Sequence, residues 1–494
     1  MTQFTAEEIE YSRRLDVWKW GDFPEINDLA QNIFEAYYSG LYTRKDAIQR
    51  AKKHLKVLLI DLYVAFIDDP KLMIGLPMYP DAYSERSNWR SIHITSMIIG
   101  IVNRAVEVGL IEIWKGNEAQ QRVSRIRPTE TLRKLFKKSS LKPHYFDLQN
   151  STRPPIVFRK EKDKTKRDRR KNYTPQEVPN LTKEDLSYLA NSATIIIEYN
   201  AAIQHAYVDI PDLNERRPKV SKSGGKETYL HASQCHKNIY RVFNDFSIDS
   251  GGRFYGPFWQ GMPKIDRERL YIDDEPTTEL DYSGLHVNMI YGLINPRITY
   301  SGTDPYSIDL SHLKITDGDA RKLGKQLMLI ALNASNQNKA IAAFRNWLRK
   351  EEEDIAKCLP DLTNKTLKPI MAALEIKHPL IKDYFYSGLA KNLMTLDSMI
   401  LEDIIEKSLE YGFIVLPVHD SIIVQRRHYP LAKQLMEDAF KKFVHKHIGV
   451  TVSPSSLGLG AFSPQNYQSR TKRYKASMTR WKTMKGLVPL PEKL

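Results

Sequence analysis

The sequence predicts an α+β fold with a mainly helical N-terminal region, and three observations indicate it. Apolar residues recur at helical spacing in Ile26–Tyr38 and in Lys45–Phe66, where Asp69-Pro70 ends the second helix. Another helical pattern near residue 100 is followed by two strand-like segments. Further along, Phe413–Val424 holds two apolar runs around a polar tip, which is typical of a β-hairpin.

The composition narrows the class of protein. A chain of 494 residues with 41% hydrophobic residues can form two or three domains, each with its own core. No stretch approaches the roughly 18–20 apolar residues of a membrane span, and the first residues lack the apolar run of a signal peptide. We therefore expect a soluble, cytoplasmic protein with no membrane partner. The two cysteines, Cys235 and Cys358, lack the paired spacing of a disulfide framework or a zinc site.

Basic residues outnumber acidic residues by 74 to 59, which gives a formal net charge of +15. The excess is clustered, and a clustered positive charge favours a polyanionic partner, above all nucleic acid. Solubility alone is the alternative reason for the charge. The composition does not fix the oligomeric state.

The N-terminal region resembles a winged-helix module in the order of its elements. A helical pattern over Ile92–Val106 precedes the strand-like segments Gly109–Gly116 and Arg122–Pro128. Helix, strand, turn, strand is the order of modules that contact DNA in many proteins. Small α+β domains without a DNA role share this order, so both interpretations stay open for residues 1–150.

The rest of the chain divides by composition. Charge replaces apolar residues in 153–171, so we expect a linker that buries no core, either a solvated loop or an arm that contacts phosphates. Basic and aromatic residues alternate in 467–485, as in proteins that bind single strands or in a disordered basic end. The predicted regions after the first are a charged linker at 151–180, a helical thumb-like region at 181–250, the chemical domain at 251–464 and a basic tail at 465–494.

Two short segments bring a cation and a carboxylate next to glycines. In Asp249-Ser-Gly-Gly252-Arg253, the glycines let the backbone approach another group closely while Arg253 reaches a phosphate. A β-prone run beginning at Thr277 ends at Asp281, where a carboxylate exposed beside a glycine can bind a metal. An ordinary turn and a helix N-cap are the alternatives.

Two further segments complete the set. Arg321 and Lys325 lie four residues apart on a predicted helix, 319–334, and so share one face that could clamp a triphosphate. A solvated basic face is the alternative. The hairpin places His419 and Asp420 at its tip. Because aspartate is rare in strands, a functional role explains these tip residues better than a role in folding does.

Nucleotidyl transfer joins these residues in one mechanism. Two divalent ions roughly 3.5–4 Å apart stabilise the attacking and leaving oxygens, and they require carboxylates from separate strands. Asp281 and Asp420 can provide these ligands for two Mg²⁺ or Mn²⁺ ions. Arg321 and Lys325 would then match the charge of the triphosphate.

In this order the segments resemble the superfamily of family A DNA polymerases and phage-type single-subunit RNA polymerases, over roughly 249–424. That family has an aspartate in motif A, an R-x3-K fingers helix in motif B and an HD hairpin in motif C. The resemblance implies a right-hand palm with small helical fingers, because only 138 residues lie between the two aspartates. It implies metal ligands Asp281 and Asp420, nucleotide-binding residues Arg321, Lys325, His286 and Asn333, and template or primer contacts Arg253, Gly252 and His419.

The chain departs from the family at positions that select the nucleotide. Asn333 and Ala334 stand where the fingers helix usually has tyrosine and glycine. His286 replaces the glutamate by which the DNA branch excludes a 2′-hydroxyl, and it could act as a gate or donate to a ribose. Ser421 follows the RNA branch, as does the D-x-x-G-R pattern that ends at Arg253, whereas Asp281-Tyr-Ser follows the DNA branch.

We expect a template-directed nucleotidyltransferase that copies DNA with nucleoside triphosphates, from a primer or by primase-like initiation, for a plasmid or mobile element. No acidic exonuclease pattern lies upstream, so we expect no proofreading. The alternatives are a single-subunit DNA-dependent RNA polymerase, a non-catalytic DNA-binding replication initiator or regulator, and a template-independent terminal transferase.

Overall fold

The structure, a computed structural model, describes residues 4–85, 87–116, 122–142, 153–160, 172–215, 217–221, 227–294, 300, 304–313, 315–445, 450–452 and 470–484. The α-helices in these ranges are α1 (Ala6–Glu10), α2 (Pro24–Tyr38), α3 (Lys45–Asp68), α4 (Ile98–Glu107), α5 (Glu130–Lys138), α6 (Lys183–Ile203), α7 (Lys264–Arg267), α8 (Leu285–Ile294), α9 (Asp317–Asn333), α10 (Gln337–Glu351), α11 (Glu353–Cys358), α12 (Asn364–Lys377), α13 (Ala390–Glu410), α14 (Tyr429–Val444) and α15 (Lys472–Met484).

The strands are β1 (Ser12–Arg14), β2 (Met73–Leu76), β3 (Ile111–Trp114), β4 (Ser124–Pro128), β5 (Ile156–Arg159), β6 (Asn172–Tyr173), β7 (Val208–Asp209), β8 (Lys219–Ser221), β9 (Glu227–Tyr229), β10 (Tyr240–Asn244), β11 (Gly251–Tyr255), β12 (Tyr271–Ile272), β13 (Glu275–Tyr282), β14 (Leu416–Val418), β15 (Ser421–Gln425) and β16 (Val450–Val452). Helices and mixed sheets together confirm the α+β class.

The N-terminal region packs α2, α3 and α4 against a sheet of order β1-β2-β4-β3. Strands β3 and β4 form an antiparallel hairpin directly after α4, so the predicted order of helix, strand, turn and strand is present. The helix begins at Ile98 and not at Ile92 as expected. The preceding backbone forms a loop instead, in which the Thr95 amide donates to His54 Nε2 at 2.8 Å.

A buried ion pair joins the first strand to the long helix α3. The Arg13 guanidinium donates to both oxygens of Asp61 at 2.8 Å, and the Asp16 amide donates to Asp61 Oδ2 at 2.9 Å. Asp61 is fully buried in an otherwise apolar part of α3. The pair therefore fixes the position of β1 and of the turn that follows it.

The second sheet has the order β11-β10-β5-β6 and uses part of the expected linker. Strand β5 pairs in parallel with β10 and buries Ile156, Val157 and Phe158. The expectation that 153–171 buries no core is therefore wrong for this strand, because three consecutive apolar residues suffice for an inner strand even between basic neighbours. The most charged part, 161–171, lies outside the described residues. The region 181–250, expected to be helical, is helical only in α6 and continues as β7 to β10.

The third sheet has the order β14-β15-β13-β12-β7, and β16 pairs with β13 on its other side. The predicted strand that ends at Asp281 and the predicted hairpin around Asp420 are both present, as β13 and as β14–β15. Helix α9 confirms the predicted helix at 319–334 with a shift of two residues at its start. It opens a run of four helices, α9 to α12, that is inserted between β13 and α13.

Helix α13 is buried between the second sheet and helices α6 and α14. Gly412 follows it with φ +73°, as expected of a C-terminal cap. Several of its polar residues are buried too: Arg241 of β10 donates to Glu402 Oε1 at 2.7 Å and to Ser398 Oγ at 2.9 Å. The same fully buried guanidinium donates to the Gly252 carbonyl at 2.7 Å, so one cation joins β10, β11 and α13.

The described part of the expected basic tail forms helix α15, which docks on the protein. Tyr474 and Trp481 pack around Tyr207, and Arg473 Nη1 lies 2.7 Å from the buried carboxylate of Asp209. The remaining residues of the tail, 465–469 and 485–494, lie outside the described residues. None of the described helices is long and apolar enough to cross a membrane.

Replacing Arg241 by methionine should destabilise the protein by about 3–5 kcal/mol, because Glu402 would stay buried without its counter-ion. Urea unfolding measures this loss. Arg241→Met combined with Glu402→Leu should recover most of it, since neither charge then remains. A single variant that loses less than about 1 kcal/mol, the range of exposed pairs, would contradict the role of this cation.

Candidate active site

Pairing between β13 and β15 brings the two predicted carboxylates together. Asp281 lies opposite Ser421 in the antiparallel register, and His419 and Asp420 are the two residues of the turn that precedes Ser421. Opposite Cα atoms in such a pair lie about 4.5–5.5 Å apart, so Asp420 is within one residue of the partner of Asp281. His419 takes the left-handed conformation that this short turn requires, with φ +57°.

The electrostatics show how close the two groups are. The surrounding protein withdraws water from Asp281, and the charges of Asp420 and Glu279 add to this effect, so that its pKa is raised to about 6. The Asp281 side chain is nevertheless open to solvent. Two neighbouring carboxylates, of which Asp281 is exposed and has a raised pKa, are typical of a cation site.

The third carboxylate, Glu279, belongs to the framework. It lies two residues before Asp281 and hence on the same face of β13. Arg267 donates to both of its oxygens, at 2.8 and 3.2 Å, and the Ser421 hydroxyl donates to it at 3.0 Å. These hydrogen bonds use both oxygens of the buried Glu279 carboxylate. Glu279 therefore affects the pKa of Asp281 through its charge.

Helix α9 provides the predicted cations. Arg321 and Lys325 are one turn apart and exposed, and the charge of Lys325 lowers the pKa of Asp281, against the larger effects that raise it. Arg321 Nε lies 2.5 Å from Asp304 Oδ2 in an ion pair at the surface. The structure therefore brings Lys325 to the carboxylates and leaves Arg321 beside them with an acidic partner.

Tyr306 is a residue of this site that the sequence did not reveal. Burial raises the pKa of its phenol to about 12, and the charges of Asp420 and Asp281 are the next causes. Its backbone crosses α9 at Gly324, where an added Cβ would lie 2.0 Å from the Tyr306 carbonyl oxygen. The Tyr306 backbone can pass this close to α9 only because residue 324, which lies between Arg321 and Lys325, is glycine.

Arg253 and His286 both bind Asp397, a second residue that the sequence did not reveal. The Arg253 Nε donates to both oxygens of Asp397 at 3.2 Å, and Nη2 also donates to Oδ2. His286 Nε2 lies 3.1 Å from the same oxygen, Oδ2. Burial lowers the pKa of Arg253, but these hydrogen bonds and the charges of Asp397 and Asp420 raise it overall. A carboxylate from α13 thus holds two predicted residues at the edge of the site.

His419 lies between the carboxylate Asp420, which follows it in the chain, and the nearby Arg253. Burial and the nearby Arg253 lower the pKa of its imidazole, against the charges of Asp420 and Asp397, which raise it. Its Nδ1 is buried without a hydrogen-bond partner among the described residues. The ring of Tyr255 meets it edge-on, with 6.4 Å between centroids.

Two of the predicted residues have partners within the protein. Gly252 is buried with φ +77°, and an added Cβ would lie 2.8 Å from Phe243 and 2.9 Å from Ser398. The close approach predicted for this glycine is thus made to the protein itself. Asn333 is the last residue of α9, and its amide donates to the Leu329 carbonyl at 2.8 Å. No contact among the described residues joins Asn333 to the carboxylates.

The donor set is suited to a hard divalent cation, which prefers carboxylate oxygens. Asp281 in β13 and Asp420 in the turn before β15 are two such donors, and their mutual repulsion would be relieved by a cation. No cluster of three or more His, Cys, Asp or Glu side chains with metal-binding geometry occurs in the described ranges.

Comparison with protein families and with curated proteins identifies no relative of this chain. No protein-family model matches the chain, and no curated protein matches it significantly. The assignment of a function thus depends on the residues described above.

Asp281→Asn should stabilise the metal-free protein. Because the folded pKa of Asp281 lies above the unfolded value, the ionised form is disfavoured in the folded state. This destabilisation is fully present above about pH 6 and disappears below about pH 4, the unfolded pKa. At pH 8 in EDTA the variant should gain about 1 kcal/mol, since solvent screens an exposed group.

Thermal unfolding at pH 8 and at pH 4 measures this difference. Asp354→Asn, which alters an exposed carboxylate elsewhere on the surface, should show no comparable gain. A wild-type protein more stable than Asp281→Asn at pH 8 without metal would contradict the proposed repulsion.

Proposed function

We propose that the chain is a template-directed nucleotidyltransferase, a nucleic-acid polymerase that copies DNA, with Asp281 and Asp420 at its centre. One observation carries the proposal. Asp281 of β13 and Asp420 of the turn before β15 lie together at an open site, and α9 brings the charge of Lys325 to them, with Arg321 exposed on the same helix. Binding a triphosphate with divalent cations requires anions and cations placed in this way.

In the proposed reaction the 3′-hydroxyl oxygen of a primer attacks the α-phosphorus of a nucleoside triphosphate. The bond between the α-phosphorus and the bridging oxygen breaks, pyrophosphate leaves and the hydroxyl proton passes to solvent. Two Mg²⁺ or Mn²⁺ ions held by Asp281 and Asp420 would supply stabilisation of the attacking and leaving oxygens. The chain itself binds and orients the two reactants.

Lys325 and Arg321 have distinct roles in this proposal. Lys325 is exposed and near Asp281, so its ammonium can bind the triphosphate directly. Arg321 is already paired with Asp304, and a triphosphate would have to compete with that carboxylate. Because the pair is largely open to water, it is weak and can be exchanged at small cost.

The sugar of the incoming nucleotide would lie near His286. Asp397 accepts from His286 Nε2 and from Arg253, which holds the imidazole in one orientation at the edge of the site. A ring fixed in this way can exclude a 2′-hydroxyl by its bulk or donate to it. Tyr306, whose phenol is affected by the charges of both carboxylates, is an aromatic residue near the site, whereas position 333 has none.

The N-terminal region would bind DNA in this proposal. Its α4 and its β3–β4 hairpin have the order of a winged-helix module, and such a helix and wing contact DNA in many proteins. A polymerase attached to such a region suits the replication of a plasmid or mobile element from a defined start.

Incorporation of nucleotides tests the proposal directly. With a primed DNA template and Mg²⁺, the wild-type protein should extend the primer with dNTPs or NTPs. Asp281→Asn and Asp420→Asn should each reduce the rate by about 100-fold or more, as loss of a preorganised charged group does. Asp354→Asn should extend normally, because it changes an exposed carboxylate of α11.

A wild-type protein that incorporates neither set of nucleotides would refute the polymerase function. DNA binding that survives both aspartate substitutions would in that case favour a replication initiator. Reactions without a primer or without a template separate primase-like initiation from terminal transfer.

Substitution of His286 should change the choice of sugar. His286→Ala should shift the ratio of dNTP to NTP incorporation by about 10-fold or more, the scale of one steric or hydrogen-bonding contact. His286→Gln can still donate to Asp397 and serves as the matched control for folding. An unchanged ratio in His286→Ala would remove this residue as the sugar gate.

A further inference from the structure

A cavity of about 480 Å³ lies between the N-terminal region and the second sheet, away from the paired aspartates. One wall is the chain from Ser12 to Trp18, at and after β1. The opposite wall includes residues of β5 and β10, with Arg153 just before β5. The proposed polymerase chemistry does not use this cavity.

The lining of the cavity is strongly positive. It contains Arg13, Arg14, Arg153 and Arg159, and Asp16 is its only acidic residue among the described ones. Arg13 is neutralised by Asp61, whereas Arg14 lies over a tryptophan ring, that of Trp89, at 3.5 Å from its centroid.

Arg14 lies close to Arg153, a second cation of the lining. Surrounding protein and the nearby Arg153 lower the pKa of the Arg14 guanidinium to about 10. It forms no ion pair within the described ranges, yet its side chain is open to solvent. Guanidinium groups brought together in this way favour an anion, and phosphate is the anion whose geometry they match best.

Aromatic rings continue from the cavity toward the active site. The Arg153 guanidinium lies 4.5 Å from the ring centroid of Tyr240 and 5.9 Å from that of Trp18. The Tyr240 ring is followed by that of Tyr255 at 6.4 Å, because the two residues are opposite each other in β10 and β11. Tyr255 in turn meets the ring of His419, next to Asp420, at 6.4 Å.

The chemistry of this row identifies its ligand. Arginines for phosphates and a sequence of flat rings for bases are how proteins bind single-stranded nucleic acid without reading its sequence. The cavity has the volume of a small-ligand pocket, with room for about one or two nucleotides and none for a duplex. A free mononucleotide would fill the cavity but would not use the exposed ring of Tyr255 outside it.

We propose that the cavity and the row Trp18, Tyr240, Tyr255 and His419 bind an unpaired strand of nucleic acid and lead it to the Asp281–Asp420 site. We call these residues, with Arg14 and Arg153, the strand track. The direction of the strand rests on the proposed polymerase function, but its binding does not.

Binding of a fluorescein-labelled 15-nucleotide dT strand to the full chain tests the track. Fluorescence anisotropy is measured in EDTA without nucleotides, so that no catalysis is needed. Tyr255→Ala and Arg14→Gln change side chains that are open to solvent, and each should weaken binding by about 5-fold or more. Tyr411→Ala and Arg349→Gln change an exposed tyrosine and an exposed arginine elsewhere and should bind as wild type.

Crosslinking provides a second measurement that needs no variant. A strand carrying 4-thiothymidine should crosslink, after irradiation, to peptides that contain Trp18, Tyr240 or Tyr255. Equal affinity of the track and control variants, or crosslinks confined to other peptides, would overturn the proposal. Competition by a blunt duplex as effective as that by the single strand would also overturn it.

The two proposals can fail separately. If the wild type extends a primer but strand binding does not depend on Tyr255 and Arg14, the polymerase function is supported and the strand track is refuted. Binding that depends on these residues, without any nucleotide incorporation, would leave a single-strand binding surface and remove the polymerase.

Discussion

The antiparallel pairing of β13 with β15 is the constraint on which the candidate site depends. Its register sets Asp281 opposite Ser421, and the two-residue turn then leaves Asp420 no position except beside Asp281. Burial and the charge of Asp420 disfavour the ionised form of Asp281, and the pairing of the sheet holds this residue in place. Strand β13 is paired along both edges, with β15 on one side and β12 and β16 on the other. Strain of this kind is common where function and stability make opposite demands.

Buried carboxylates on α13 form the second layer of support. Asp397 binds Arg253 and Glu402 binds Arg241, and these arginines lie on the adjacent strands β11 and β10. Such pairs contribute little net stability, because both charges lose their hydration. They do specify position, since a shift of α13 along the sheet would separate both arginines from their carboxylates. This fixed position holds Arg253 at the edge of the site and, through Asp397, orients His286.

Contacts of the N-terminal region with residues 229–235, which lead into β10, join this region to the second sheet. Lys19, which is buried, donates to the Cys235 carbonyl at 3.1 Å, and Tyr229 packs against the N-terminal core. Between these contacts the two regions enclose the arginine-lined cavity, from which Tyr240 and Tyr255 lead to His419. The cavity exists only because a helical region with its own core rests on the sheet that carries Arg253. The arrangement explains why the proposed strand track crosses from one region to the other.

The sequence by itself determined the elements whose signals are local. Helical spacing predicted α3 and α9, and Gly412 predicted the end of α13. The polar tip of the hairpin predicted the turn that holds Asp420. The charged composition of 153–171 led to the wrong prediction for β5, because a run of three apolar residues is too short to be recognised among charged residues. Only the tertiary structure decided the partners: Asp397 lies 144 residues from Arg253 and 111 from His286, and Tyr306 reaches the carboxylates through a loop. Periodicity records which face of an element is buried, but contacts between distant residues depend on how the elements pack, and no local pattern encodes that.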